Sequence, residues 1–273
     1  MRLGRRGKQG QTPTGGLSQG LSLPETPLPE WEYVPEGWSY PTRGWDAEAV
    51  ADAYARKWPD YLAAIEAPKP LGVHHETAEV LTGDAGAHNM LVTFAYVVAL
   101  AAGGRERLSV LDWGGGFGHY HALARSVLPG VELEWHVKET ALVAERAREL
   151  NPAVTFHDDD ACLGRRYELV VASSSLQYAE EWRALLERLA AAAERHLYVA
   201  RVPVAFRAPS FVVVQRPYVH GYDTEYRGWV LNRDELLAAA PLPLAREFLL
   251  DARFSAAGAP EDPVDHRSFL FTR

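Results

Sequence analysis

Residues 110–120 read VLDWGGGFGHY: an apolar run, one aspartate, then four glycines among the five residues 114–118. A turn that poor in side chains lets a ligand come close to its backbone, because glycine has no Cβ to hold it off. A dinucleotide would need G-x-G-x-x-G, with a helix N-terminus aimed at its pyrophosphate. Counting from Gly114 puts His119 where the third glycine belongs, and counting from Gly115 puts Phe117 where the second belongs. The phosphate-cradling G-x-x-x-x-G-K-[ST] is absent from the chain. What fits is D-x-G-x-G-x-G, formed by Asp112, Gly114, Gly116 and Gly118, with Gly115 inside it. An aspartate so placed repels a pyrophosphate and suits a ligand with a cationic amino-acid end.

Outward from this turn, short β-rich runs alternate with helical ones. RLSVLDW (107–113), VELEWHV (131–137), VTFHD (154–158), YELVVASS (167–174) and HLYVARVPV (196–204) read as strands. HYHALARSVL (119–128), TALVAERAREL (140–150) and residues 179–194 read as helices between them. That alternation predicts a parallel sheet covered on both faces, with ligands at the carboxyl ends of its strands. A helix starting near Asn232, then AREFLLDARF (245–254) and RSFLFTR (267–273), is expected to close the sheet. Residues 205–230 hold several aromatics and no helical period, which fits a lid, an acceptor wall or a hairpin packed on the core.

Before the sheet, residues 1–30 are basic and rich in Gly, Ser, Gln and Thr, and are expected to be a disordered tail. Residues 31–104 are expected to form an arm and a helical cap, and 105–273 the ligand-binding domain. Asp46 can cap a helix carrying Val50, Tyr54 and Trp58, which Pro59 is expected to interrupt or close. The most apolar stretch, LVTFAYVVALAA (91–102), falls short of the ~20 residues of a membrane span and reads as a helix buried in protein.

The 273 residues carry a formal charge of −8, which argues against a sequence-independent grip on nucleic acid. A single cysteine, Cys162, excludes an intrachain disulfide and a multi-cysteine metal site, and fits a cytoplasmic compartment. No metal is expected; His74 and His75 with Asp84 make only a sparse ligand set.

The D-x-G-x-G-x-G spacing resembles motif I of the class I S-adenosylmethionine-dependent methyltransferases. Other contacts of that superfamily fall in register here. Glu139, 21 residues past Gly118, stands where an acid takes both ribose hydroxyls. Asp158 and Asp159, followed by Asp160, stand where an acid meets the adenine amino group, and Ser174 in SSSLQY (173–178) lies in the loop lining the transferred methyl. Beyond these motifs, GWDAEAVADAYARKWPDY, the His88-Asn89 pair, LDWGGGFGHY, SSSLQY, QRPY and WVLNR resemble a family of bacterial proteins assigned as methyltransferases. Some of that family are linked to cell-surface polysaccharide synthesis. The resemblance covers about residues 31–273 and implies an α/β fold: a Rossmann-like, doubly wound, mostly parallel sheet of seven strands, the last antiparallel, binding S-adenosylmethionine. The Asn/Asp-Pro-Pro-Tyr-type loop of nucleic-acid base methyltransferases is replaced by SSSLQY, which points away from DNA.

The reaction so implied is methyl transfer, by an in-line path, to a small molecule or a sugar. Phe117, Tyr120 and Tyr178 offer aromatic faces for a sulfonium. Arg201, Gln215 and Arg216 can bind a carboxylate, phosphate or sugar hydroxyl, with Tyr222 and Trp229 as further acceptor contacts; Arg216 can equally pin the insertion to an acid. If the acceptor is a hydroxyl, His88 or His220 is the expected base. Two alternatives stand beside this reading: a catalytically silent cofactor-binding module, and a nicotinamide-dependent oxidoreductase, which the glycine spacing opposes.

Overall fold

The computed structural model describes residues 28–71 and 84–273. Most of the expected tail, and His74 and His75, lie outside the described residues.

The parallel strands form where β-branched and aromatic residues cluster: β2 (Arg107–Trp113), β3 (Glu132–Lys138), β4 (Thr155–His157), β5 (Tyr167–Ser173) and β6 (Ala193–Ala205). Helices α3 (His119–Val127), α4 (Ala141–Leu150) and α5 (Trp182–Ala192) fall between them, with amphipathic faces turned to the sheet. After β6 come β7 (Phe211–Gln215), β8 (Tyr226–Asn232), α6 (Arg233–Ala239), β9 (Leu244–Phe254) and β10 (Val264–Thr272). The central sheet runs β4-β3-β2-β5-β6-β10-β9. Strands β2 to β6 pair in parallel, whereas β10 is antiparallel to both β6 and β9.

Among the described residues the whole sheet has ten strands, not seven. Three lie beyond the central body: β1 (Trp31–Tyr33), β7 and β8 form an antiparallel group in the order β1-β7-β8. The length of β6 causes the difference. Its 13 residues outrun the core, and its far end pairs with β8 through Val204–Leu231 and Ala205–Asn232. The 205–230 insertion is thus a hairpin, and the N-terminal arm joins it as a third strand.

Two helices precede β2. Helix α1 (Glu48–Glu66) runs unbroken through Pro59. Its buried face, including Tyr54, Trp58, Tyr61 and Ile65, packs in the same core as Phe117 and Tyr120, and this packing outweighs the backbone hydrogen bond that proline cannot donate. Asp46 does not cap α1: its Oδ1 accepts from Leu142 N at 3.2 Å, serving the first turn of α4 instead. Helix α2 (Ala85–Ala102) is capped by Asp84, which accepts from Ala87 N, and stopped by Gly103 at φ 53°. It is 18 residues long and apolar enough to cross a membrane by length and composition, yet Phe94, Val97, Val98 and Ala101 are buried against the sheet. It is not buried all round: Val92, Tyr96 and Leu100 share an exposed face.

Candidate active site

The glycine turn leaves the carboxyl end of β2, the central strand. Gly114, Gly116 and Gly118 all have positive φ (73°, 59° and 82°), which L side chains adopt at a cost. A Cβ on Gly114 would stand 2.5 Å from Cβ of Ser175, and one on Gly115 2.5 Å from the Asp112 carboxyl. The turn is braced from below, where Asn151 Nδ2 donates to Phe117 O at 2.8 Å.

Glu139, in the turn after β3, is anchored by both carboxylate oxygens. Oε1 accepts from Gly116 N and Oε2 from Thr140 N, each at 2.9 Å. Burial raises its pKa, and the two backbone donors pull it back. Asp112 is placed differently. It is fully buried beneath the turn, and among the described residues no donor meets either oxygen with good hydrogen-bond geometry, the Trp135 side chain being the one that comes near. Burial first, and then the Glu139 charge, push its carboxyl up to about 8, with the Trp135 side chain offsetting part of the rise. It borders a small chamber with Tyr61, His119, Tyr120 and Ser173. A buried, unpaired carboxylate is costly, and it is stable only as the neutral acid or beside a cation.

Two larger cavities open at this edge of the sheet, with volumes of about 260 and 200 Å³, just under the ~300–1,000 Å³ typical of small-molecule sites. The first is bordered by Trp113, Gly114, Lys138, Glu139, Val143 and Ser173. The second is bordered by Gln177, Arg201, Gln215, Tyr222, Tyr226 and His266. Trp45, Ser174 and Tyr178 border both. Two non-glycine residues with positive φ, Ser174 (50°) and Arg201 (55°), stand at this junction. One amide ties them: Gln177 Nε2 donates to Ser174 Oγ at 3.2 Å and to Arg201 O at 3.4 Å. Backbone strain of ~1–3 kcal/mol per residue persists where neighbours over-determine it, and it clusters at functional sites.

The structure brings Gly114, Glu139 and Ser174 to the first cavity and Tyr178, Arg201, Gln215 and Tyr222 to the second. It does not bring the others. Asp158 pairs with Arg148 at 3.2 Å, and Asp159 accepts from Ala161 N, capping a short 3-10 turn. Asp160, the third of the run, reaches toward Lys138 on the cavity wall at 4.0 Å. Arg216 is bound to Glu32 at 2.8 Å and Glu225 at 3.4 Å, and so pins the insertion to the arm. Trp229 stacks on Trp38, and its indole donates to Glu180 O. His88 is exposed on α2, away from both cavities, and the side chain of His220 lies outside the described residues. Phe117 is buried among Tyr54 and Trp58, and Tyr120 stacks on Phe94 at 4.0 Å.

Two residues at the junction escape sequence reasoning. Trp45 lies in the GWDAEAVADAYARKWPDY stretch, which by itself gives it no role, and His266 sits just before the run that reads as a closing strand. The tautomer of His266 is defined: Nδ1 lies 2.8 Å from Ala252 O, a carbonyl that can only accept, so Nδ1 carries the proton and Nε2 is the basic atom.

No family model and no curated protein matches the chain. Among solved structures, a protein of Galdieria sulphuraria assigned as a sarcosine dimethylglycine methyltransferase matches with a TM-score of 0.50 at 11% identity. The match covers 81% of this chain and 98% of that one. Magnesium protoporphyrin IX methyltransferase from Synechocystis PCC 6803, solved with bound S-adenosylhomocysteine, matches at 0.46 and 18% identity, over 82% of this chain and 98% of that one. An amino pentose methyltransferase from Micromonospora echinaspora, solved with S-adenosylmethionine, matches at 0.41 and 17% identity, over 67% and 91%. At such identities the likeness is one of fold. The chain has the Rossmann-like architecture of the class I methyltransferases.

Proposed function

We propose that this chain is an S-adenosylmethionine-dependent methyltransferase acting on a hydroxyl of a small molecule or saccharide. The observation that carries this reading is the meeting of two cavities at Trp45, Ser174 and Tyr178, one of them bordered by the glycine turn. The residues present fit the cofactor. Asp112, buried with no hydrogen bond of good geometry among the described residues, suits an ammonium group, and Gly114 borders the first cavity, its missing Cβ making room for Ser175 beside it. In this reading the first cavity holds the cofactor: Gly114 borders it, Glu139 takes the ribose hydroxyls, Gly115, Gly116 and Gly118 let the turn pack closely on the protein beneath, and Asp112 under the turn offers a negative charge to the amino-acid end.

The cofactor, when bound, supplies a methyl on a sulfonium whose leaving group is a neutral thioether. The chain's task is to hold the acceptor in line with that methyl and to exclude water, and positioning of this kind can account for ~7–11 kcal/mol of a barrier. Tyr178, bordering both cavities, adds cation–π attraction of ~0.5–2 kcal/mol. In the second cavity Arg201, Gln215 and Tyr222 orient the acceptor. His266, in place of His88, would serve as the base that takes the proton of the acceptor hydroxyl. The imidazolium so formed would return its proton to water.

Isothermal titration tests the cofactor: S-adenosylhomocysteine binds and NAD does not, and binding of NAD alone overturns the reading. Methyl-labelled cofactor, incubated with a small-molecule and glycan extract of cells lacking the protein, tests the transfer. Cofactor binding with no labelled product makes the chain a silent cofactor-binding module.

A further inference from the structure

Residues 44–46 of the N-terminal arm are stapled on both sides. Gly44 N donates to Glu225 O at 2.9 Å, and Gly44 O accepts from Thr224 Oγ1 at 2.7 Å, which ties the segment to the insertion. On the other side, Asp46 Oδ1 holds Leu142 N of α4 at 3.2 Å. Trp45 is therefore placed rigidly between them, its ring stacked on Tyr226 at 3.9 Å and edged against Tyr178 at 4.9 Å. Its indole N–H is buried and has no partner among the described residues. Trp135 and Trp182 also bury unpaired indoles, but neither borders the two cavities; Trp45 borders both.

Across the junction, Gln177 is 1% exposed and borders the second cavity. The orientation of its amide follows from its partners: Arg201 O can only accept, so the NH2 group faces it and Oε1 lies on the other side. That oxygen is buried without a donor. Among the described residues the wall therefore holds an unpaired donor at Trp45 and an unpaired acceptor at Gln177, with the unpaired Thr140 hydroxyl on the first cavity only, and burying such groups unmet is unfavourable.

The geometry points to Trp45 Nε1–H and Gln177 Oε1 as the polar atoms that position the methyl acceptor, which must carry both a hydrogen-bond-accepting oxygen and a hydrogen-bond-donating group. This rests on the methyltransferase reading. A hydroxyl-bearing acceptor meets both requirements, whereas an acceptor whose heteroatoms are fully alkylated meets only one. The cofactor's oxygens are the other possible source of a partner for Trp45, and the two sources separate experimentally.

The test uses the full chain with W45F, which keeps the ring stack and loses the N–H, and Q177L. Transfer from labelled cofactor into serial dilutions of the cell extract yields a half-saturating dilution and a plateau rate, while titration yields the S-adenosylhomocysteine affinity. Each variant is expected to raise the half-saturating extract concentration about three- to tenfold, the size of one lost hydrogen bond, with cofactor affinity within twofold of wild type. Unchanged half-saturation in W45F overturns the proposal. So does an equal loss of cofactor affinity in W45F, which assigns the indole to the cofactor. If Q177L does not fold, W45F alone decides. Wild-type chain that binds S-adenosylhomocysteine and transfers nothing removes the methyltransferase reading and this proposal with it; wild-type transfer with unaffected variants removes the proposal alone.

Discussion

The two halves of the site are built in opposite ways. The first cavity is built mainly on neighbouring strand ends of one sheet, Gly114 after β2, Glu139 after β3 and Ser173 at the end of β5, with Trp45 of the arm and Val50 and Tyr54 of α1 covering it. The second is assembled from distant pieces: Trp31 and Trp45 from the arm, Met90 from α2, Gln215 and Tyr222 from the insertion, Leu250 from β9 and His266 from β10. A parallel sheet delivers its carboxyl ends to one edge by topology. An arm strand and a hairpin reach that edge only by pairing with each other, here through Trp31–Gln215 and its neighbours. If the proposed reading holds, changes at the strand ends should act on cofactor binding, and changes in the insertion mainly on the acceptor.

The strongest way to break the contrast is at Gly114. A valine there must hold φ near 73° and place its Cβ 2.5 Å from Ser175, so G114V is expected to weaken S-adenosylhomocysteine binding at least about a hundredfold. Titration checks this, with circular dichroism confirming the fold.

Asp112 comes next and has a pH signature. Its folded pKa of about 8 lies above the ~3.9 of an unfolded aspartate. Between those values the native chain holds a proton that the unfolded chain has lost, so this residue's contribution to stability falls as pH rises, by up to ~1.4 kcal/mol per pH unit, and levels off above 8. D112N abolishes that slope, and the melting temperature of the variant relative to wild type is expected to climb from pH 5 to pH 8. An ammonium ligand favours the ionised carboxyl. Affinity for S-adenosylhomocysteine in the wild type should therefore rise up to about tenfold per unit from pH 6 toward 8 and stay flat in D112N. A flat wild-type profile would remove Asp112 from the ligand's amino-acid end.

Glu139→Gln keeps the shape but removes the charge, and one of its oxygens, from a group that accepts two backbone N–H bonds. A loss of ~1.5–3 kcal/mol in cofactor affinity is expected. On the other half, Arg216→Ala cuts a buried guanidinium from Glu32 and Glu225. Denaturant melts should show a loss of ~2 kcal/mol, discounted from a fully buried pair because Glu32 is half exposed. Cofactor affinity should hold within threefold while labelled transfer falls. A parallel fall in cofactor affinity would show that the halves are coupled. The mildest change is Trp229→Phe, which loses the bond to Glu180 O and part of the stack on Trp38, at ~1 kcal/mol of stability with cofactor affinity unchanged.

The strand β2 was legible to the residue, and β3, β5, α3 and α4 to within a residue or so at each end, because period and turn residues are local signals. The extended reach of β6 was not legible: residues 193–195 and 205 carry no strand pattern and are recruited by pairing with β5 and β8. Pro59 misled for a related reason, since a helix end judged from one residue ignores the aromatic face that holds α1 down. Asp158 and Asp159 stand at the expected spacing, but nearby partners, Arg148 and the backbone of Ala161, take them away from the cavity.

The amino-acid order alone determined the carboxylate-tipped glycine turn, the alternation that forces a parallel sheet, and the acids that follow β3 and β4. Each depends on residues within a few positions of one another, where chain geometry leaves little choice. Tertiary structure alone decided that Trp45, Gln177 and His266 share a wall, that Arg216 is a staple, and that three more strands extend the sheet. Contacts between residues far apart in the chain are selected by which surfaces can be buried together, and no local pattern records that outcome.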